Sequence, residues 1–126
     1  MDANLRKETQ SALDTVIRRV PSNQVFDSHT IIQIFANDPD LQDIYRRFCG
    51  EFGVTFADRT KLKRAHSELS KMIGKNPIVE PVLNEEHTQL DVFSHNINEG
   101  VNANKLWKFK GVKSKGESRK KLQSEE

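Results

Sequence analysis

The spacing of apolar residues changes character at Gly74, and this change constrains the fold more than any other feature of the chain. Before it, apolar side chains recur at intervals of three and four, as one face of a helix requires. After it, short β-branched and alternating runs take over. A chain of 126 residues holds one hydrophobic core, so the two halves must pack on each other. The expected class is α+β, mostly helical, with about four helices and a small antiparallel hairpin.

Caps and breakers divide the helical part. Leu5, Ala12, Leu13, Val16, Ile17 and Val20 share a face of a first helix from about Ala3 to Arg19, which Pro21 ends. Gln24-Val25-Phe26 is a brief strand. Asp27 and Ser28 are N-cap candidates for a second helix carrying Ile31, Ile32, Ile34 and Phe35, stopped by Asn37-Asp38-Pro39. A third helix restarts at Pro39, with Leu41, Ile44, Tyr45, Phe48 and Phe52 at helical spacing and Gly50 or Gly53 at its end. Cys49 beside this stripe reads as a buried small hydrophobe. The fourth helix is capped by Asp58, or by Thr55 with Asp58 as capping-box partner. It runs to Ile73 on an apolar face of Leu62, Ala65, Leu69, Met72 and Ile73, with Gly74 as a C′ glycine.

Beyond Gly74, Ile78–Leu83 reads as a strand that Pro81 confines to an edge or a bulge. Lys105–Lys110 alternates with Trp107 and Phe109 on one face, Trp107 serving as a core anchor. The segment between them has two readings. Leu90 and Val92 alternate as in an extra strand of a long hairpin, whereas Asn84-Glu85-Glu86 followed by Leu90, Phe93 and Ile97 suits a short helix. The extended reading is preferred. Residues 1–110 make the domain, and 111–126, with little to bury, are expected to be a disordered basic tail.

The net charge of +2 conceals a strong segregation. Residues 22–58 and 76–104 are acidic, and 76–104 contain no Lys or Arg at all. Residues 59–75 hold six cations against one acid, and 105–121 hold eight against one. Concentrated like charge repels itself, and a polyanion relieves the repulsion by releasing counterions. On the fourth helix the side opposite the apolar stripe centres on Thr60, Arg64, Ser67 and Lys71, flanked by Lys61 and Lys63. Arg can bridge guanine acceptors, Ser adapts, and Lys meets phosphate. Cations near a helix start oppose its dipole, and local rules are broken most often where function needs it. The competing reading is a solvated face balancing the acidic segments around it. The tail cations Lys110, Lys113, Lys115, Arg119, Lys120 and Lys121 either track phosphates or simply solubilise.

The order helix, short strand, helix, further helix, then two strands around a loop resembles the winged helix-turn-helix superfamily over Leu5 to Phe109. Three local features carry the likeness: Val25-Phe26-Asp27-Ser28-His29 entering the second helix, the basic helix ending Met72-Ile73-Gly74, and Asn104-Lys105-Leu106-Trp107. Most members of that superfamily bind DNA, and a minority bind proteins or RNA. The resemblance implies double-stranded DNA as ligand and a transcription regulator or accessory DNA-binding factor as the role. Helix 58–73 would be the recognition helix, Arg64, Ser67 and Lys71 would meet base edges, and Arg59, Lys61 and Lys63 would meet phosphate, with Lys108 and Lys110 added from the last strand. Two departures are evident: the helix at 39–52 is an addition, and the wing segment, Asn76 to Asn104, lacks cations. The alternative is a protein-interaction or adaptor module on the same scaffold. RNA is disfavoured because aromatics do not interleave the basic runs. The first helix could supply the seam of a homodimer.

Other classes find no support. One cysteine cannot build a disulfide scaffold or a thiolate metal site, and His29, His66, His87 and His95 lack metal-pair spacing. His66 reads as a boundary residue, His29 as a surface or capping residue, and His95 as a loop residue. Phosphate loops, nucleophile elbows and dinucleotide fingerprints are missing, so neither an enzyme nor a cofactor is expected. No uncharged apolar run approaches the roughly 20 residues a bilayer needs, and the first residues lack a signal peptide's apolar block. The expected address is cytoplasmic, with no membrane partner.

Overall fold

A computed structural model describes residues 1–96 and 100–111, the side chains at 94–96, 100 and 101 excepted. The expected tail lies outside the described residues from position 112 onward. Four helices, α1 (Ala3–Ile17), α2 (Ser28–Asn37), α3 (Gln42–Gly50) and α4 (Leu62–Gly74), join four strands, β1 (Phe26–Asp27), β2 (Val79–Pro81), β3 (Asp91–Asn96) and β4 (Gly100–Phe109). The fold is α+β, with a small antiparallel sheet.

The periodic stripes become the core. Leu13, Val16 and Ile17 of α1, Ile31, Ile32 and Phe35 of α2, Phe48 of α3, and Leu62, Leu69, Met72 and Ile73 of α4 are almost entirely removed from solvent. Each fully buried side chain of this kind contributes roughly 1.5–3 kcal/mol. Tyr45 of α3 packs edge-on against Phe35 of α2, and Phe26 of β1 lies tilted against Phe109 of β4. The apolar face of α1, a candidate dimer seam, is used instead on the protein's own core.

β4 is the sheet's organising strand. β1 flanks it on one side, with Phe26 opposite Trp107, and β2 on the other, with Val79 opposite Phe109 and Pro81 opposite Trp107. Pro81 therefore stands on an edge strand, where its missing donor costs nothing. Leu106 donates to the Leu90 carbonyl and accepts from Val82, so β3 continues along the β2 side of β4. Residues 83–89 make an excursion closed by the Leu83–Gln89 bridge. Among the described residues, the segment in dispute is thus extended beyond that excursion. Asn84 accepts from the amides of Glu86 and Thr88 and forms a tight turn there, not a helix start.

α1 starts at Ala3 as expected, behind Asp2, whose carboxylate accepts from the Asn4 and Leu5 amides, and α2 is capped by Asp27, an expected candidate, which accepts from the Thr30 amide at 2.7 Å. Other boundaries differ from expectation: α1 ends at Ile17, short of Arg19. Pro39 lies in the turn before α3, because Asp38 folds that turn by accepting from the Asp40 amide. α4 begins at Leu62, not Asp58. Asp58 is committed to a preceding turn, where it accepts from the backbone and hydroxyl of Thr60 while Thr55 donates to its carbonyl. Gly74 is the last residue of α4 and not a left-handed cap beyond it; among the described residues only Gly53 and Gly111 are glycines of positive φ.

Candidate nucleic-acid interface

α4 starts with no side-chain cap and no acid in its first turn, which instead holds Lys63 and Arg64. Both choices weaken the helix start, since the first amides lack partners and cations oppose the dipole. The stripe Leu62, Ala65, Leu69, Met72 and Ile73 anchors the helix against the core in compensation. On the outward side Lys63, Arg64, Ser67 and Lys71 are exposed, as are Arg59, Thr60 and Lys61 in the turn before it.

Charge pairing separates this surface from most of the described arginines elsewhere, Arg46 being the exception. Arg18 pairs with Asp14, Arg19 with Asp38, and Arg47 with both Glu8 and Asp43. Those cations are neutralised on the α1–α3 side. Among the described residues, no carboxylate lies within 4.0 Å of the side-chain nitrogens of Arg59, Lys61, Lys63 or Arg64. Lys71 has only a long contact to Glu68, at 3.9 Å, and Glu68 is held more closely by Arg6, at 3.0 Å.

A groove of about 460 Å³ runs between α4 and the β3–β4 ribbon. Lys63, Ser67, Ser70 and Lys71 form one wall, and Asn102, Ala103, Asn104 and Lys105 the other. Lys105 lies opposite Asp91 in the ribbon and pairs with it at 3.3 Å. A polar network supports the floor. Trp107 donates its indole N–H to Ser28 Oγ at 2.8 Å, and Ser28 meets Ser70 Oγ at 2.6 Å. Beside it His66 Nε2 lies 2.5 Å from Tyr45 Oη.

His66 and His29 are therefore buried, at 4% and 3% exposure, and not boundary or surface residues. The reason is tertiary: α2 and α3 converge on this side of α4, so a position at the stripe's edge is covered, with Tyr45 supplying the hydrogen bond that burial demands. His95 lies in β3 and not in a loop, and its side chain falls outside the described residues. Cys49 is buried as expected; burial pushes its thiol up to about 11, against smaller opposing effects of Tyr45 and Arg59.

Of the expected contact residues, the fold gathers Lys63, Ser67 and Lys71 along the groove, with Arg64 exposed outside it on the same helix. Arg59 and Lys61 stand in the turn leading into α4. Lys108 and Lys110 are not brought into this surface. They alternate with the buried Trp107 and Phe109 onto the other face of the sheet, where Lys108 reaches Glu80 across the strands at 3.6 Å. Lys105, Ser70 and Asn102 were missed as site residues. For Lys105 the signal existed, since it falls two residues before Trp107 and shares its face of β4. Ser70 and Asn102 carried no local signal.

Among the described residues, no group of His, Cys, Asp and Glu could hold a metal ion, and no helix is long and apolar enough to cross a membrane. Comparison with protein-family models, curated proteins and solved structures finds no match to this chain.

Proposed function

We propose that this domain binds double-stranded DNA, with α4 as the element that enters the major groove. The observation that carries the reading is the outward face of α4. Arg64 and Lys63 are exposed and unneutralised on a helix whose opposite face is locked into the core, whereas Arg6, Arg18, Arg19 and Arg47 are each paired with a carboxylate. A rigid cationic helix of 13 residues suits a groove about 12 Å wide. The strand order β1-β4-β2, with a β3–β4 ribbon beside α4, is in keeping with a winged-helix scaffold, and the added α3 packs away from that face against α1 and α2.

In this reading Arg64 and Ser67 address base edges, Lys63 and Lys71 hold phosphates, Arg59 and Lys61 meet the backbone at the start of the helix, and Lys105, paired with Asp91, borders the groove. Lys108 and Lys110 take no part. A regulatory role in transcription, and action in the cytoplasm, are the roles most consistent with such a module. The test is charge reversal of Arg64 and Lys71 together to Glu. Duplex binding is expected to vanish while circular dichroism stays unchanged. Binding equal to the parent's would overturn the assignment and favour a protein-docking module.

A further inference from the structure

The lysine-free wing leaves a question that the charge argument does not answer. From Asp91 and Lys105 outward, β3 and β4 pair only with each other, as a two-stranded ribbon projecting past β1 and β2. Beyond Lys105, which Asp91 already pairs, the ribbon carries no Lys or Arg with which to grip phosphate. What it presents instead is Phe93, 79% exposed. Its cross-strand partner is Ala103, too small to cover the ring, and Ala103 itself lines the groove beside α4. Directly opposite residues share a face, with Cβ atoms about 4.5–5.5 Å apart. The Phe93 ring therefore stands just beyond the groove wall, on the face that Ala103 and Lys105 occupy.

We propose that Phe93 is an apolar wedge that enters a base step of the minor groove next to the major groove filled by α4, and kinks the duplex there. The inference rests on the DNA-binding reading above. Charge complementarity selects the occupant: Lys63 and Lys71 across the groove, and Lys105 at the base of the ribbon, border the space that a phosphate strand would occupy between α4 and the wing. A phenyl ring has no use for a phosphate, but inserted between bases it partly unstacks them and bends the duplex, bringing more of its length onto the protein. Such a wedge is cheapest at pyrimidine–purine steps, which unstack readily. The ribbon thus contributes deformation where α4 contributes charge.

The experiment measures bending by energy transfer between dyes on the two ends of duplexes of about 20–30 base pairs, in roughly 50 mM salt, with a TA step or an A-tract at the centre. The full chain is expected to bring the ends together by a bend of roughly 20–90°, more readily on the TA duplex. Phe93→Ala should bind with affinity changed by less than about tenfold, because the lysines still hold phosphate. It should lose both the bend and the TA preference, and Phe93→Leu should retain them. Binding with no bend, or a bend unaffected by Phe93→Ala, overturns the wedge and leaves the DNA-binding reading intact. Phe93-dependent self-association without bending would assign the ring to a second copy and likewise overturn it. If the parent chain fails to bind any duplex, both readings fall.

Discussion

A Cβ placed on Gly74 would lie 2.7 Å from Cη2 of Trp107, closer than any real side-chain contact allows. The last residue of α4 is glycine because the indole of β4 lies directly on its backbone. This approach couples α4 to the strand that forms the other wall of the groove. Gly74→Ala should cost about 1–3 kcal/mol in urea unfolding, as overpacking does. Trp107→Phe in the same background should recover part of it by shortening the ring. An undiminished midpoint would show that the contact does not constrain the pair.

Ser28 links the same indole to α4. It accepts from Trp107 and meets Ser70, and it is itself buried. Ser28→Ala leaves the indole N–H without its partner, and a loss of about 1–3 kcal/mol is expected. The single tryptophan reports the change directly, through its fluorescence during unfolding.

Acid stability follows from three carboxylates. Asp14 is held below its ordinary value of 3.8 by hydrogen bonds from Arg18 and Asn76, and Asp38 by Arg19 and the Asp40 amide. Asp58 is held below it by the backbone and side chain of Thr60. A carboxyl whose folded value is depressed contributes stability above the unfolded value and loses it as pH falls through the folded one. Unfolding free energy should therefore decline below pH 3.8. Asn76→Ala should shrink the decline by removing one donor to Asp14.

Cys49 behaves in the opposite sense. Its neutral thiol is favoured in the fold, so its contribution is complete below the ordinary value of 9.0 and lost as pH rises toward about 11. At about pH 8.5, where a free thiol is partly ionised, alkylation of the native protein should be slow and should become rapid in denaturant. Fast labelling of the native chain would contradict the buried position.

Salt dependence separates the lysines. Each phosphate contact adds about −0.9 to the slope of log affinity against log salt. Lys63→Ala should flatten the slope by about that amount, whereas Lys108→Ala, on the other sheet face beside Glu80, should leave it unchanged. Equal effects would mean that the Lys108 face of the sheet contacts the duplex as α4 does.

The helical stripes were legible because burial on one face imposes a period that residues such as Leu13, Phe35, Phe48 and Leu69 must obey. The outward cations of α4 were legible for the same reason, being its complement. The start of α4 was not: Asp58 can cap a helix or close a turn, and Thr60 supplied the hydroxyl that favours the turn. Residues His29 and His66 were misplaced because period alone cannot say how many neighbours cover the edge of a stripe.

The amino-acid sequence alone determined the element types, the core stripes and the cationic face of one helix, since these depend on spacing and composition within a single segment. Only the tertiary structure decided that Lys105 and Ala103 face Lys63 and Lys71 across a groove, that Lys108 and Lys110 turn away, and that Gly74 must have no side chain. Those relationships join residues far apart in the chain, and what fixes them is strand register and the approach of Trp107 to α4, which no local pattern encodes.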